Sequence, residues 1–483
     1  MKKCSHFFDF LISHAKIYGF IFPSSEIYGG LNAIYDYGPH GVELKNNIKE
    51  FWWKSMTQIH ENIVGVDSSI LMHSNVWHAS GHVDQFNELL IENKDSNKRY
   101  RPEILIQEYV DKNFLNDPKK KEKTLSRLSK SLKKRDLLDI KILIDELCIC
   151  DPVFKRKNWT EIRHFNMMFK IKNGNEKDLY LRPETAQGIF SNFQNIIRSN
   201  RMKIPFGIAQ IGKSFRNEII ARKFIFRMRE FEQMEMQFFI LPEEEMKWYE
   251  YWKKNRLKWH LELNSEDNKK SYKLCDHDHL AHYASVGADI KFHFPFGFQE
   301  IEGIHSRRDF DLKNHEFFSK KKLRIFELDR NYIPYVIETS LGLDRLFLAI
   351  FSSSLKKEKL KNGKIRIVLK LPYYLSPIKA AIFPLVRKDG LPEIAKKIFN
   401  DIRGYHRLVY DEKESIGKLY RRQDAIGTPF CFTVDYNTIK TDTVTIRYRD
   451  NMEQKRIHIK EISKIIEQET GLRKILKNLS NFR

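Results

Sequence analysis

Four short segments that mix arginine and glutamate with apolar residues constrain the fold of this chain most strongly. They read RPETAQGIF (182–190), FRNE (215–218), FRMREFEQMEMQFF (226–239) and ETSLGLDR (338–345). Burying a charged group costs free energy unless the group is paired or holds a ligand. Structural ion pairs are enough to explain one such segment. Four of them favour a site for a substrate that carries both charges together with phosphates.

The size and charge of the chain narrow its class. A length of 483 residues predicts two or three domains. The net charge of +22 favours a polyanionic partner such as nucleic acid, although lysine-rich surfaces also serve solubility alone. Five scattered cysteines without a CxxC pair suit a reducing compartment. With no membrane-spanning run and no signal-peptide cleavage site, we expect a soluble cytoplasmic protein that does not contact membranes.

Apolar spacing predicts the secondary structure of the first part of the chain. Helical spacing marks the segments 5–18, 42–57, 243–262, 277–285 and 342–351. Alternating apolar and charged residues predict antiparallel strands within 179–240 and near 289–301 and 332–338. This part should therefore combine helices with a sheet that has one polar face.

A polar, lysine-rich stretch at 353–364 predicts a boundary, and beyond it strands and helices alternate. The predicted order is strand 381–386, helix 392–402, strand 407–410, helix 415–425, strands 428–436 and 443–449, and helix 459–470. Such alternation predicts a separate, small α/β domain.

Residues 207–214, GIAQIGKS, match the phosphate-loop pattern G-x4-G-K-S letter for letter. Such a loop binds phosphate only where it follows a buried strand and opens a helix. Here the preceding residues 201–206 make a poor buried strand, and the following residues alternate like a strand. The context argues against a phosphate-loop ATPase.

A group of one cysteine and three histidines, Cys275, His277, His279 and His282, suggests a zinc site, because several of its spacings are helical. No second ligand cluster accompanies the group, and Asp and His are common at helix starts as capping residues. We therefore expect no metal site that is built from protein side chains alone.

Three of the four segments resemble motifs of class II aminoacyl-tRNA synthetases, and the fourth, RPETAQGIF, resembles the glycyl-tRNA synthetases of that class. FRNE, a loop and then Arg227-x-x-x-Phe231 resemble motif 2, and 338–345, ending in Gly-x-x-Arg, resembles motif 3. YDYGPHG at 35–41 and the helix after it resemble motif 1, the dimer-forming element. Longer strings, such as IYGG, REFEQMEMQFF and YRRQDAIGTPFCFTVD, resemble the glycyl-tRNA synthetases specifically. The resemblance runs from about residue 20 to about 467, apart from a basic insertion.

The resemblance implies an α+β fold. A class II antiparallel sheet flanked by helices would occupy residues 1–360, with a basic helical insertion at about 92–165, and an α/β anticodon-binding domain would occupy 365–483. It also implies a homodimer that uses ATP and Mg2+ to form glycyl-adenylate and then transfers glycine to the 3′-terminal adenosine of tRNA(Gly). A non-catalytic relative that binds nucleic acid, and a sister synthetase for threonine, proline or histidine, are the rival interpretations.

The resemblance assigns the site residues. The catalytic residues would be Arg216, Glu218 and Arg345. The ATP site would comprise Arg216, Asn217, Glu218, Phe226, Arg227, Met228, Arg229, Glu230, Phe231, Glu300, Ile301, Gly342, Leu343, Asp344 and Arg345. The glycine site would comprise Arg101, Glu184, Phe231, Glu232, Gln233, Met234, Glu235, Glu338, Thr339, Ser340, Leu341 and Gly342.

Roles follow from the chemistry of these groups. Arg216 would lie against the α-phosphate, because a planar fork of donors suits an anion that spreads over several oxygens. Phe231 would stack on adenine, and Arg345 would stack on its other face or meet the γ-phosphate. Glu218 and Glu300 would hold the nucleotide through its amino group or a metal ion. The remaining acids, Glu184, Glu235 and Glu338, would cradle the glycine ammonium with Ser340.

Two basic regions are open to more than one interpretation. Residues 117–136 contain nine Lys or Arg and three Asp or Glu, and Leu125, Leu128 and Leu132 recur at helical spacing. A solvated charged surface and a tRNA contact both explain this segment. The same choice holds for Lys418, Arg421 and Arg422, which fall within about one helical turn.

The chain departs from the family pattern at several positions. Thr339 stands where proline is usual in motif 3, and His40 stands where leucine is usual in motif 1. The motif 2 loop at 220–222 lacks its usual proline, and Tyr448 replaces an acid. Residues 93–101 lack the zinc-binding cysteines of many relatives, so we expect no structural zinc.

Overall fold

A computed structural model describes residues 2–172, 178–220, 223–263, 270–278, 280, 283–327 and 329–480. The helices in chain order are α1 (Lys2–Ile17), α2 (Pro39–Thr57), α3 (Ser74–Ala79), α4 (His82–Gln85), α5 (Pro102–Asn113), α6 (Pro118–Lys134), α7 (Leu137–Glu146), α8 (Ala186–Asn200), α9 (Glu245–Glu262), α10 (Phe310–Ser319), α11 (Leu343–Ser354), α12 (Leu391–Ile402), α13 (Ile416–Ile426), α14 (Tyr436–Thr441), α15 (Ile462–Thr470) and α16 (Arg473–Ser480).

The strands complete the described elements. They are β1 (Ile21–Pro23), β2 (Tyr35–Tyr37), β3 (Ile63–Gly65), β4 (Asn87–Asn93), β5 (Lys98–Tyr100), β6 (Arg163–Asn166), β7 (Lys170–Ile171), β8 (Leu179–Tyr180), β9 (Phe206–Phe215), β10 (Glu230–Ile240), β11 (Tyr272–Asp276), β12 (Val286–Phe294), β13 (Gly297–Arg308), β14 (Ile325–Glu327), β15 (Arg330–Tyr332), β16 (Tyr335–Gly342), β17 (Leu355–Lys359), β18 (Ile365–Leu369), β19 (Ala380–Pro384), β20 (Leu408–Tyr410), β21 (Phe430–Val434), β22 (Thr443–Tyr448) and β23 (Gln454–His458).

A seven-stranded sheet in the order β11-β12-β13-β16-β10-β9-β3 forms the centre of the molecule. Its strands pair antiparallel except β3, which runs parallel to β9. Because side chains alternate along a strand, the sheet presents two different faces. One face packs on α2, α9 and α11 and forms the largest apolar core, which includes Trp52, Trp252 and Phe347. The other face packs on α8 and α10 through residues such as Phe193 and Phe239.

Two smaller units have cores of their own. A three-stranded sheet of β5, β4 and β6 packs against α5, α6 and α7, and this unit contains the basic insertion. The C-terminal sheet has the order β20-β19-β21-β22-β23, with parallel pairs on both sides of β19 and antiparallel pairs from β21 onward. Helices α12 and α13 cover its two faces.

Most predicted elements appear, but several predictions were wrong. Helix α8 occupies part of 179–240, where strands were predicted, and residues Phe224–Phe226 form a 3-10 turn. The predicted helix at 277–285 is not helical in its described residues, while 279, 281 and 282 lie outside them. The stretch 353–364 is not a plain linker, because β17 pairs with β18 there. Elements α14 and β23 were not anticipated.

No helix in the described part of the chain is both long enough and apolar enough to cross a membrane.

A buried ion pair fastens α9 to the sheet. Glu302 on β13 is fully buried and accepts hydrogen bonds from Arg256 Nε at 2.6 Å and from His260 Nε2 at 2.6 Å. Because Arg256 is only 1% exposed, water cannot hydrate its charge if the carboxylate of Glu302 is removed. Breaking a buried pair from one side leaves an uncompensated charge.

The substitution Glu302→Gln should therefore lower the free energy of unfolding of this part of the chain by about 3–5 kcal/mol. Urea unfolding followed by tryptophan fluorescence measures it, because all seven tryptophans precede residue 260. The matched control is Glu414→Gln, whose exposed pair with Lys418 should contribute less than about 1 kcal/mol. Equal midpoints for the two variants would contradict this account.

Candidate active site

A cleft of about 410 Å³ opens on the α8 side of the central sheet. It exists because the alternating polar residues of several neighbouring strands reach the same face. On β10 these residues are Phe231, Gln233 and Glu235, and on β16 they are Glu338 and Ser340. Alternate residues of the same strands, such as Met234, Ile337 and Leu341, belong to the apolar core on the opposite face. The polar face predicted from the sequence is therefore the wall of the cleft.

The cleft gathers most of the predicted site residues. Those that line it are Glu184, Arg216, Glu218, Phe226, Arg227, Met228, Phe231, Glu232, Gln233, Glu235, Glu300, Glu338, Ser340, Gly342, Asp344 and Arg345.

The other predicted residues are not among the described residues that line the cleft. Met234, Ile301, Thr339, Leu341 and Leu343 are buried. The apolar core includes Met234, Ile301, Leu341 and Leu343, while residues next to them along the chain line the cleft.

The remaining four make other contacts. Asn217 donates its backbone N–H to Met167, and Arg229 reaches the carbonyl of Glu218 at 3.3 Å. Glu230 pairs with Lys213 at 2.5 Å. Arg101 pairs with Glu88 at 2.6 Å and with Glu103 at 2.6 Å.

Arg216 lies immediately after β9, at the mouth of the motif 2 loop. Its Nε donates to the carbonyl of Pro183 at 3.0 Å, and its guanidinium lies 5.3 Å from the ring centres of both Phe86 and Phe231. Two aromatic rings and one carbonyl hold the side chain in place. Its remaining N–H groups therefore form a positioned fork for an anion in the cleft.

Arg345 lines the same cleft, from the first turn of α11. Its guanidinium lies over the ring of Phe226 at 4.7 Å and makes an ion pair with Glu300 at 3.3 Å. The carbonyls of Phe226 and Glu300 also accept hydrogen bonds from it. The cleft thus carries two arginines, each oriented by an aromatic ring.

Three carboxylates, of which Glu235 and Glu338 are buried and Glu184 is partly buried, line the same cleft as Arg216. Glu235 accepts hydrogen bonds from Ser340 Oγ at 2.6 Å and from Thr185 Oγ1 at 2.5 Å. Burial and then repulsion from Glu338 and Glu184 raise the pKa of Glu235 to about 7. A cation that enters this cluster would relieve the repulsion. The arrangement therefore suits a small positively charged group.

The other two carboxylates are held ionised by positive neighbours. Burial alone would raise the pKa of Glu338, but the Arg307 guanidinium and His305 lower it to about 2. Burial opposes ionisation of Glu184 in the same way, yet His82 and then Arg307 hold its pKa well below the usual range.

A buried network that the sequence analysis missed supports these acids. Arg307 donates to Glu338 at 3.1 Å and to Asp311 at 2.6 Å. Gln187 donates to Asp311 at 2.9 Å and to Glu184 at 2.8 Å. The side-chain oxygen of Gln187, Oε1, lies 2.8 Å from His315 Nε2. Arg307 and Asp311 are four residues apart, and this arginine–aspartate spacing was the one available sequence signal.

Comparison with known proteins identifies the family. The model for the glycyl-tRNA synthetase insertion domain 1 matches residues 110–167, the class II core domain (G, H, P, S and T) matches 169–354, and the anticodon binding domain matches 379–469. A glycine–tRNA ligase of Chlorobaculum tepidum is 48% identical over 468 residues, 94% of this chain and 98% of the relative. The chain belongs to the glycyl-tRNA synthetases. A relative from Staphylococcus aureus is 47% identical over 475 residues, 96% of this chain and 98% of its own.

Solved structures of sister synthetases share the fold. A threonyl-tRNA synthetase structure from Cryptosporidium parvum, titled as the RNA binding domain, has a TM-score of 0.62 at 15% identity and covers 94% of this chain and 97% of its own. A prolyl-tRNA synthetase from the same organism has a TM-score of 0.58 at 13% identity and covers 98% and 76%. The predicted fold class is confirmed: a class II antiparallel sheet with helices, plus a mixed α/β anticodon-binding domain.

Motif 1 of this synthetase is tied to motif 3 through Asp344. The Asp344 carboxylate accepts hydrogen bonds from Lys45 Nζ at 3.0 Å, from the Tyr37 hydroxyl and from the backbone N–H of Glu232 at 2.8 Å. Lys45 also pairs with Glu232 at 2.7 Å. Asp344 and Glu232 therefore join α2 to the cleft wall, in addition to lining the cleft.

The phosphate-loop pattern at 207–214 lies within β9. Residues 212–214 pair antiparallel with β10, so the backbone N–H groups that a phosphate loop would offer are part of a sheet. Gly212 is required for another reason: a Cβ there would lie 2.1 Å from a guanidinium nitrogen of Arg182. Arg182 is 2% exposed and donates to the carbonyls of Lys213 and Ser68, so it braces the sheet.

The departures from the family pattern lie in structured places. Thr339 pairs with Met236 and Ile304 inside the sheet. His40 Nδ1 lies 2.6 Å from the carbonyl of Tyr18, and Tyr448 packs on the ring of Phe430 at 5.7 Å. In the motif 2 loop, residues 221 and 222 lie outside the described residues.

The raised pKa of Glu235 should make the stability of the ligand-free protein depend on pH. Its folded-state pKa of about 7 exceeds its ordinary value of 4.5, so the stability that this group confers is present at low pH and is lost as pH rises through about 7. Glu235→Gln removes the charge. The thermal midpoint of the variant should therefore rise relative to that of wild type between about pH 5 and pH 7, measured by tryptophan fluorescence. A constant difference across that range would contradict this assignment.

Proposed function

We propose that this chain activates glycine with ATP, releasing pyrophosphate, and then esterifies the glycyl group to the 3′-terminal adenosine of tRNA(Gly). One observation carries the proposal beyond family membership: three glutamates, Glu184, Glu235 and Glu338, line the cleft that also contains Arg216, and burial and mutual repulsion raise the pKa of Glu235 to about 7. An amino acid presents an ammonium and a carboxylate to a synthetase, and the cleft offers the opposite charge for each.

The substrate ammonium binds among the three acids. Glu235 is the acid whose charge is least favourable in the free protein, so it gains most when the ammonium arrives. Thr185 and Ser340 occupy one oxygen each of its carboxylate and fix its orientation. Side chains larger than hydrogen at the substrate Cα meet this cluster and the Phe231 ring, and exclusion by size accounts for glycine specificity.

The reaction is an in-line attack of the glycine carboxylate on the α-phosphorus of ATP, with pyrophosphate as the leaving group. The fork of Arg216 neutralises charge on the α-phosphate and holds the carboxylate near it. Phe231 supports adenine, and Arg345 contacts adenine or the γ-phosphate. No covalent bond to the chain forms in this mechanism.

Mg2+ enters with ATP as part of the nucleotide substrate. Glu218 and Glu300 line the cleft and carry the oxygen donors that Mg2+ prefers, so they are the residues that would hold it together with phosphate oxygens. When bound, the ion supplies positive charge to the phosphates. The two arginines of the cleft perform the positioning described above.

The proposed tRNA surface uses the C-terminal domain at 365–483 and the insertion at about 92–165, which extend from a catalytic domain at 1–360. Lys418, Arg421 and Arg422 are exposed on α13 and are available to phosphates. The basic helix α6 offers a second positive surface to the same polyanion.

A homodimer that works in the cytoplasm completes the proposal. The segment just before motif 1 exposes apolar side chains, with Ile27 at 87%, Tyr28 at 86% and Leu31 at 58% exposure. A cluster of this kind favours a protein contact over solvent. Lys45 on α2, within motif 1, pairs with Asp344 in the cleft, so a partner copy that contacts α2 would stabilise the site.

The non-catalytic alternative predicts loss of the ATP-site side chains. Arg216, Glu218, Phe231 and Arg345 are all present and all line the cleft, which supports the enzyme.

The substitution Arg216→Lys should lower kcat for ATP–pyrophosphate exchange by about 100-fold or more, because the loss of an oriented donor on a developing charge has effects of that size. The KM for ATP should change less. The matched control is Arg330→Lys, since Arg330 is 71% exposed on β15 and pairs only with Glu243 among the described residues. Full exchange activity in Arg216→Lys would remove Arg216 from the reaction.

Glycine binding should weaken below pH 7, because the ammonium binds the ionised form of Glu235. The KM for glycine should rise by up to about tenfold per pH unit below about 7, while the KM for ATP follows a different profile. In Glu235→Gln the KM for glycine should be raised at every pH and lose this slope. A slope that persists in the variant would show that Glu235 is not the group whose ionisation controls glycine binding.

A further inference from the structure

Two histidines and one aspartate converge on the cleft wall formed by β11, β12 and β13. Donor atoms of His277, Asp289 and His305 all lie within 4.8 Å of one another. His277 Nε2 and Asp289 Oδ1 are only 2.7 Å apart. All three residues line the cleft, and neither the glycine site nor the ATP site described above includes them.

The register of the sheet explains the convergence. His305 on β13 lies opposite Gly287 on β12, and the backbone N–H of His277 donates to the Gly287 carbonyl from the other side. The two histidines therefore flank a residue without a side chain. Asp289 lies two residues further along β12 and thus on the same face.

Two glycines make room for this arrangement. A Cβ at Gly287 would lie 2.7 Å from His305 Cδ2 and 3.1 Å from His277 Nδ1. A Cβ at Gly303 would lie 2.7 Å from His305 Cε1. Both distances to His305 are shorter than real Cβ contacts, so the ring of His305 fits only because glycine occupies both positions.

The surroundings of His305 match those of a metal-binding histidine. Its Nδ1 is shielded from solvent and lies 3.4 Å from Glu338 Oε2, without a well-directed hydrogen bond to any described residue. Histidines that bind metals through one nitrogen commonly direct the other N–H to a carboxylate, which fixes the tautomer. Glu338 is placed for that role, and it leaves Nε2 for an ion.

We propose that His277, Asp289 and His305 bind one divalent transition-metal ion of the zinc type. Two imidazoles and a carboxylate are a donor set that Zn2+ uses with a water or substrate atom in the fourth position. Tetrahedral ligands at about 2.0–2.1 Å lie about 3.3 Å apart, so small side-chain rotations close the site. The proposal is separate from the Mg2+ that accompanies ATP, because Mg2+ prefers oxygen donors alone.

Binding would join three strands of the cleft wall at one point. It would also fix the Nδ1–H of His305 toward Glu338, one of the three acids of the proposed glycine site. The ion is thus a positioning element that acts through His305.

The sequence did not reveal this site, because its residues are 12 and 16 positions apart and lie on separate segments. The earlier zinc hypothesis shared only His277 with it. Cys275, on β11, lies opposite Asp289 of β12 in the sheet register. His279 and His282 lie outside the described residues.

Metal content tests the proposal directly and independently of any synthetase activity. The full-length protein is stripped with chelator, equilibrated with Zn2+ in the presence of millimolar Mg2+, passed through gel filtration and analysed by elemental mass spectrometry. We expect about one Zn2+ per chain. His305→Ala and Asp289→Asn should each weaken Zn2+ binding by at least about 10-fold. His293→Ala, which removes an exposed histidine from the same strand β12, should leave it unchanged.

A second variant removes no donor. Gly287→Ala should displace both rings and weaken Zn2+ binding as His305→Ala does, while circular dichroism and the metal-free unfolding midpoint show whether each variant is folded. The proposal is overturned if wild type retains no Zn2+, if Mg2+ displaces it, or if folded His305→Ala and Asp289→Asn retain it like wild type. The last result would place the ion elsewhere in the chain, and the first would leave His277 and Asp289 as an ion pair.

Discussion

The constraint on which the rest of the catalytic part depends is a group of three carboxylates in one cleft, two of them buried on the same face of the sheet and the third just before α8. Glu184, Glu235 and Glu338 repel one another, and burial together with this repulsion raises the pKa of Glu235 to about 7. Such a cluster persists only where positive groups and hydrogen-bond donors hold it. Arg307 supplies the charge, and Thr185, Ser340 and Gln187 supply the donors.

The same constraint explains why helices cover both faces of the sheet. The core beneath the cleft is apolar and holds the strands rigidly, so that alternate side chains reach the cleft in fixed positions. On the cleft side, α8 brings Thr185 and Gln187 to the acids, and α10 brings Asp311 to Arg307. The stability of the folded core thus keeps the three glutamates close together, although their mutual repulsion is unfavourable until a cation binds.

Local patterns in the sequence predicted much of this structure. The strands predicted within 179–240 and near 332–338 correspond to β9, β10 and β16 of the central sheet, and the helices predicted at 42–57 and 243–262 appear as α2 and α9. Helix α8 was missed because the strand-like alternation of 206–240 was extended backwards over it. Within 186–200 the apolar residues, among them Phe190 and Phe193, recur at helical spacing. A window limited to these residues would have predicted the helix.

The parts that sequence reasoning could not supply depend on contacts between distant segments. Arg182 and Arg216 lie in similar Arg/Glu segments, yet Arg182 braces the sheet and Arg216 faces the cleft. The support of Glu338 by Arg307, and the approach of His277 to His305, depend on strand register that residue spacing does not reveal. Single segments predicted that charged residues would be buried together, and the fold determines which of them meet.

The central claim is that the acid cluster and Arg216 select and activate glycine. ATP–pyrophosphate exchange with each of the twenty amino acids, using the full-length protein with ATP and Mg2+, tests it most directly. The account predicts exchange with glycine and background rates with alanine, serine and all the others. Exchange with a different amino acid would contradict the assignment of the cluster to glycine, and no exchange from a folded protein would contradict the enzymatic function itself.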